Sequence, residues 1–158
     1  MAIEKILVTR KEELKPKHTG SHPAYVYDKY EAVPKNSGSQ CAVVFYDIAP
    51  GKSSYPLHYH SGSEEIFYII SGQGVVETSD GEIAVSAGSV VFCPAGEGGA
   101  HKLTNTSDSA VLTYIDIDTV PKTDMCYYPK SGKIGIFTNE GFAKLYKADS
   151  NVTYYEGE

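Results

Sequence analysis

Histidine and acidic side chains occur in this sequence at a spacing that suits a metal ion. His58 and His60 are separated by one residue in the segment YPLHYH. Side chains at positions i and i+2 of a β-strand point to the same face, so the two imidazoles project together. A short turn follows, and the next strand starts with Glu64 and Glu65, either of which can face the pair. Two imidazoles and a carboxylate with open positions left form the facial arrangement that binds non-haem Fe(II) and related ions.

A third histidine, His101, follows a glycine-rich loop at 94–99 and starts another strand. An antiparallel neighbour can bring it beside the first group. Imidazole binds a metal only when it is unprotonated, so we expect such a site to weaken as the pH falls through the histidine range.

Short strands separated by tight turns must position these side chains. The clearest predicted strands are 40–48, 65–70, 89–93, 101–104 and 109–118, with a hairpin around Asp80-Gly81. Weaker patterns predict strands at 3–8, 24–27, 55–60, 133–138 and 142–146. Strands that recur about every eight to twelve residues, without amphipathic helices, predict a sandwich or a closed barrel.

Composition and charge exclude several classes of function. The chain has a formal net charge of -6, and its basic residues form no stripe, so we expect no binding to nucleic acid. No apolar stretch approaches the ~20 residues that span a bilayer, and the N-terminus lacks a signal-peptide pattern. Cys41, Cys93 and Cys126 form no CxxC pair. Reduced thiols of this kind predict a cytoplasmic protein, and Cys126 is the best candidate among them for a catalytic thiol.

Two motifs make the sequence resemble the cupin superfamily. The first motif of that family places a glycine, an HxH pair, a glutamate and a second glycine at fixed intervals, and the second motif continues with glycine, PxG, histidine and asparagine. The matching residues are Gly51, His58, His60, Glu65 and Gly72 for the first motif, and Gly88, Pro94, Gly96, His101 and Asn105 for the second. The family pattern places an aromatic residue three positions after its glutamate, which selects Glu65 over Glu64. Four residues separate Gly96 from His101 where two are common. The longer loop can shift the position of His101, so His101 is the least secure of the candidate ligands.

The resemblance implies an all-β, jelly-roll-like cupin barrel at 40–118, with an N-terminal arm at 1–39 and a C-terminal extension at 119–158. The segment YYPKSGKIGI at 127–136 is similar to one that follows the barrel in some bacterial cupins. The family also implies a metal held by His58, His60, Glu65 and His101, and homodimers that often exchange N-terminal strands. We expect the extension to pack on the barrel or on the dimer partner.

Several functions are compatible with these features. The first is a metalloenzyme that uses Fe, Mn, Ni or Zn on a small polar organic molecule, by dioxygenation, decarboxylation or isomerisation. The alternatives are a non-catalytic, metal-dependent binding or sensor protein and a metal-free binding module. No general acid or base can be named from the sequence. We interpret Asp116 and Asp118 as solvated charges on the last strand, and His18 and His22 as exposed loop residues.

Overall fold

The computed structural model describes residues 3–158, and strands dominate this part of the chain. The thirteen strands are β1 (Lys17–His22), β2 (Tyr25–Val33), β3 (Cys41–Ile48), β4 (Tyr59–His60), β5 (Glu65–Ser71), β6 (Gln73–Thr78), β7 (Gly81–Ser86), β8 (Val90–Cys93), β9 (His101–Asn105), β10 (Leu112–Thr119), β11 (Thr123–Tyr128), β12 (Lys133–Thr138) and β13 (Ala143–Lys147). Two single turns of 3-10 helix, Lys11–Glu13 and Glu97–Gly99, are the helical elements in the described part. No helix formed by residues 3–158 has the length and apolar character needed to cross a membrane.

Two antiparallel layers enclose the core. One layer is a six-stranded sheet in the order β1-β2-β3-β10-β5-β8, and the other combines β7-β6-β9 with β13-β12-β11-β4. Isolated bridges between Ser53 and Thr104 and between His58 and His101 join β9 to the segment before β4. Apolar side chains from both layers, including Ile48, Leu112 and Leu103, form one buried cluster. This arrangement is that of a jelly roll and confirms the predicted all-β, jelly-roll-like barrel.

Alternation along the central strands decides which side chains enter the barrel. On β10, every second residue from Leu112 to Asp118 is buried, and the residues between them are half-buried on the outer face. On β3 the same alternation holds, with one face buried and the other mostly half-buried. Tyr114 of β10 stacks on Tyr46 of β3, with ring centroids 4.9 Å apart and planes 11° from parallel. The two stacked rings separate the apolar part of the interior from its polar part.

Asn105, the last residue of β9, forms hydrogen bonds with the end of β3 and with the loop before β10. Its buried amide nitrogen donates to the carbonyl oxygens of Ile48 (2.9 Å) and Ala110 (2.8 Å). Its amide oxygen accepts from the backbone N–H of Ser107 at 2.9 Å. The asparagine of the second motif therefore ties three separate segments together, because a buried amide needs partners for both its donor and its acceptor atoms.

Other strand predictions also differ from the structure. Residues 3–8 form no strand, and only Tyr59 and His60 of the segment 55–60 pair as one. The stretch 17–33 forms β1 and β2 where one short strand was predicted. The strand β11 was not predicted at all, because its sequence TDMCYY has no apolar alternation. It forms because β4 lies on one side of it and β12 on the other, and partners of this kind are supplied only by tertiary structure.

Candidate metal centre

Backbone pairing brings the two histidine segments of the sequence together. The N–H of His58 donates to the carbonyl of His101 at 3.1 Å, and the N–H of His101 donates back to His58 at 2.9 Å. The two imidazole centroids lie 4.7 Å apart. His60 follows on β4, and its centroid is 5.2 Å from that of His58. Residues more than forty positions apart in the sequence thus face one interior point.

Glu65 completes the group from the opposite layer. It is the first residue of β5 and is buried, whereas Glu64 is exposed. Its carboxylate oxygens lie 3.2 Å from Nε2 of His101 and 3.7 Å from Nε2 of His60. One ligand atom each of His58, Glu65 and His101 lies within 4.8 Å of the others. Strand parity therefore selects Glu65, as the family pattern does.

Each imidazole is held through Nδ1, so that Nε2 is left for the interior. Nδ1 of His58 donates to the carbonyl of Pro56 at 2.9 Å, and Nδ1 of His101 donates to the carbonyl of Gly99 at 2.8 Å. Nδ1 of His60 donates to the carboxylate of Asp124. Metal-binding histidines generally donate their second nitrogen to such acceptors, which fixes the tautomer and the ring orientation.

Burial shapes the protonation of these groups. It lowers the pKa of His58 to about 3, and the neighbouring His101 and His60 act in the same direction. Burial also opposes protonation of His60, but the hydrogen bond to Asp124 and the negative charges of Glu65 and Asp124 together outweigh it and raise the pKa of His60. The pKa of Glu65 is raised by burial against the attraction of His101 and His60. A buried carboxylate whose nearest neighbours are imidazoles lacks a permanent counter-charge, which a bound cation would supply.

Three of the side chains group closely enough to share one divalent transition-metal ion, since a ligand atom each of His58, Glu65 and His101 lies within 4.8 Å of the others, and Nε2 of His60 lies 3.7 Å from Glu65. Two donors at about 2.1 Å from one ion lie about 3 Å apart when adjacent and about 4.2 Å apart when opposite. The distances from Glu65 to His101 and to His60 are in this range. Three neutral imidazoles and one carboxylate suit Fe, Mn, Ni and Zn alike.

The long loop before His101 does not displace it. Residues Glu97–Gly99 form a 3-10 turn that takes up the extra length, and the N–H of Gly96 donates to the carbonyl of His60 at 2.7 Å. A Cβ on Gly99 would stand 1.8 Å from the carbonyl oxygen of Pro94, so only glycine permits this tight path.

Further polar and aromatic groups surround the centre, and the sequence interpretation missed most of them. Asp116 and Asp118 are buried, at 5% and 3% exposure, so their interpretation as solvated charges is wrong. They follow Tyr114 on the inward face of β10, because strand alternation continues into the polar end of the barrel. Tyr128 stacks on His58 with centroids 5.9 Å apart.

His18 and His22 are exposed, as expected, but lie on β1 rather than in a loop.

Cys126 also lies beside the centre. One ligand atom each of Cys126, His58 and His60 lies within 4.8 Å of the others. Burial raises the pKa of its thiol to about 12, so the thiol is protonated at neutral pH and is not an activated nucleophile in the metal-free site.

A cavity of about 290 Å³ opens onto this centre. Its walls include His58, His60 and Glu65, together with Asp116 and Asp118. Side chains of β2, β11 and β12 close its outer part, so segments on both sides of the central barrel help to enclose it. His101 instead faces a second space of about 10 Å³, which is about enough for one water molecule. The main cavity suits a small organic molecule rather than a polymer.

Residues 44–118 match the family described as the cupin domain. This stretch of the chain is a cupin domain. This cupin is 39% identical over 62 residues to the oxalate-binding protein of Thermotoga maritima, a match that covers 39% of this chain and 49% of that protein. The chain thus spans about half the length of this curated relative.

Solved structures share the fold over more of the chain. A protein of Acidithiobacillus ferrooxidans, provisionally assigned as a sugar phosphate isomerase, is 25% identical, with a TM-score of 0.76 over 93% of this cupin and 96% of that chain. A predicted oxalate decarboxylase of Thermotoga maritima is 21% identical, with a TM-score of 0.62 over 73% of this cupin and all of that chain. The second likeness shows the fold alone.

Replacing Asp124 tests how the centre is organised. Asp124→Asn removes the charged acceptor of the His60 Nδ1 proton, and we expect the affinity for a divalent metal to fall at least roughly tenfold. Metal titration followed by calorimetry measures this. The exposed change Asp149→Asn alters the total charge equally and should leave the affinity unchanged. Equal affinities for the wild type and Asp124→Asn would show that Asp124 does not organise the site.

The pKa of His58 predicts a specific pH dependence for the metal-free protein. His58 stays neutral in the fold at pH 5.5, since its pKa is about 3, while the unfolded chain takes up a proton below about pH 6.5. Stability is therefore lost as the pH falls from 7.5 to 5.5, by about 1.4 kcal/mol for this group. Urea unfolding with a chelator present should show a change over this pH range that differs between the wild type and His58→Gln by about 1.4 kcal/mol, with the greater loss in the wild type. The exposed His22→Gln should behave like the wild type, and equal pH slopes in all three proteins would contradict the assignment.

Proposed function

We propose that this cupin is a metal-dependent enzyme that acts on a small polar organic molecule, with His58, His60, Glu65 and His101 as the metal ligands. The observation that carries the proposal is the orientation of the three imidazoles. Each holds its Nδ1 proton on an acceptor, and Nε2 of His60 and Nε2 of His101 lie within 3.7 Å of Glu65, which lines the main cavity. Three buried imidazoles beside a buried carboxylate are costly unless they share a cation.

The chain's own residues would hold and enclose the reacting molecule. A metal in this site would polarise a carbonyl or hydroxyl oxygen of the substrate as a Lewis acid. Tyr128 covers one face of the His58 ring, and residues of β11 and β12 line the outer part of the cavity. Exclusion of water strengthens the interaction of the ion with a substrate oxygen.

Among dioxygenation, decarboxylation and isomerisation, we favour isomerisation. The provisionally assigned sugar phosphate isomerase is similar to this chain over nearly its full length, including the segments before and after the central barrel that close the cavity here. A non-catalytic binding protein that uses the same ion is the second candidate. It is supported by the 62-residue likeness to the oxalate-binding protein. Binding of a small ligand without turnover would favour this second candidate.

Metal removal tests the proposed ligands. At a free metal concentration of 100 times the dissociation constant, the ion should add about 2.7 kcal/mol to the free energy of unfolding. We therefore expect chelation to lower Tm measurably, and the double change His58→Ala with His60→Ala to abolish the effect of the chelator. His18→Ala with His22→Ala, on exposed β1, is the matched control. Elemental analysis that finds no transition metal, or a chelator effect that survives in the double variant, would refute the ligand assignment.

Metal-restored turnover of small hydroxy ketones and acids separates the enzyme from the binding protein.

The outer face of the six-stranded sheet supports a homodimer. Ile66 and Tyr68 of β5 lie directly opposite Phe92 and Val90 of β8. All four side chains point outwards, and Val90 and Phe92 remain 67% and 56% exposed. A contiguous exposed apolar patch of this kind usually marks an interaction surface. The cytoplasmic location expected from the three cysteines stays a prediction.

Oligomeric state tests this patch. We expect the wild type to be a dimer by light scattering and Phe92→Glu to be a monomer, because a charge cannot be buried there without a partner. Phe142→Glu, at another exposed phenylalanine, should remain dimeric. A monomeric wild type would refute the proposed homodimer.

A further inference from the structure

Two buried carboxyl groups beside the proposed ligands have no role in holding the ion. Asp118 lies opposite Glu65 in the ladder between β10 and β5, and Asp116 comes two residues earlier on the same inward face. One carboxylate oxygen of each lies within 4.8 Å of a carboxylate oxygen of Glu65. Both line the main cavity.

Each of these carboxyl groups has an oxygen with no partner. Oδ1 of Asp116 and Oδ1 of Asp118 are buried and accept no hydrogen bond within the described part of the chain. Lys35 occupies only the other oxygen of Asp118, with Nζ at 2.7 Å from Oδ2. Buried polar atoms almost always have partners, and leaving one without a partner costs about 1–3 kcal/mol. Two such atoms beside an open cavity indicate that a bound molecule supplies the partners.

Hydroxyl groups suit these unpartnered oxygens, because a carboxyl group keeps an accepting oxygen whether it is ionised or protonated, and a hydroxyl can donate to it. Sugars and other polyhydroxy compounds carry hydroxyl donors next to the carbonyl or hydroxyl oxygen that an ion would bind. A dicarboxylate such as oxalate carries acceptors alone and would place them against these oxygens.

The cationic side chains of the cavity do not favour an anion either. Lys29 pairs with Glu31 at 2.9 Å, and Lys35 pairs with Asp118. No arginine lines the cavity in the described residues, and Arg10 is the single arginine of the sequence. The bidentate fork that usually recognises carboxylates is therefore missing from these walls.

We propose that Asp116 and Asp118 are the hydroxyl-recognition pair of this cavity, which takes a neutral polyhydroxy carbonyl compound rather than a dicarboxylate. The assignment rests on the proposed function, since it places the substrate between the ion and β10. A second metal ion held by Glu65, Asp116 and Asp118 would compete with it. Lys35 already supplies positive charge to that group, which disfavours a further cation there.

Opposite changes in the affinities for two probes test the pair. Protein loaded with Mn²⁺ is titrated with D-xylulose and, separately, with oxalate, and the relaxation of water protons reports occupation of the ion's open positions. Asp116→Asn replaces one acceptor oxygen by a donor N–H₂ of the same shape. We expect it to weaken D-xylulose binding roughly tenfold and to strengthen oxalate binding. A merely structural defect would weaken both probes together.

Controls separate this inference from the proposed function. Asp108→Asn, an exposed change of equal charge, should alter neither affinity. Asp118→Asn is the second variant if Asp116→Asn does not fold, with the same expected pattern. Absence of bound Mn²⁺ in the wild type would overturn the proposed function and the inference with it. One Mn²⁺ per chain with unchanged or parallel affinities in the variants would overturn the inference alone, as would two Mn²⁺ per chain in the wild type.

Discussion

The orientation of three imidazole rings depends on where each Nδ1 proton goes. The acceptors are a carbonyl two residues before His58, a carbonyl two residues before His101, and the carboxylate of Asp124 on β11. Two of these contacts are local, and their geometry follows from the tight path of the chain. The third depends on a strand that reaches β4 from a part of the chain more than sixty residues away. The polar interior is thus arranged by the segment after the central barrel as well as by the barrel itself.

Charge inside the barrel is distributed in a way that favours a cation at one end. Tyr46 and Tyr114 stack across the middle of the interior, and burial raises the pKa of both hydroxyls well above its usual value, so both stay neutral. Beyond them lie Glu65, Asp116 and Asp118. Burial and the neighbouring Asp118 and Glu65 raise the pKa of Asp116 well above its ordinary value. Lys35 offsets part of their repulsion by pairing with Asp118, and an ion held by Glu65 and the imidazoles would offset more of it.

These features connect the fold to the chemistry. A jelly roll encloses a space between two layers, and its strands present alternate residues to that space. The closed end of this space carries apolar and aromatic side chains, whereas the other end carries the imidazoles and carboxyl groups. The same alternation on β10 therefore supplies a core residue at Leu112, a stacked aromatic ring at Tyr114 and polar recognition groups at its end.

The sequence by itself determined the β-strand class, most strand positions and the shared face of His58 and His60, because strand parity is a local property, and the resemblance of its two motifs pointed to Glu65 and His101. It did not determine the orientation of the end of β10, where Ile115 and Ile117 are better core residues than Asp116 and Asp118 by hydropathy. Tertiary structure decided this, since Leu112 and Tyr114 fix the parity and the polar end of the barrel offers lysine and ligand partners. It also decided the roles of Asp124, Cys126 and Tyr128, because β11 exists only through its pairing with β4 and β12. Pairing between distant segments leaves no periodic signal in either segment alone.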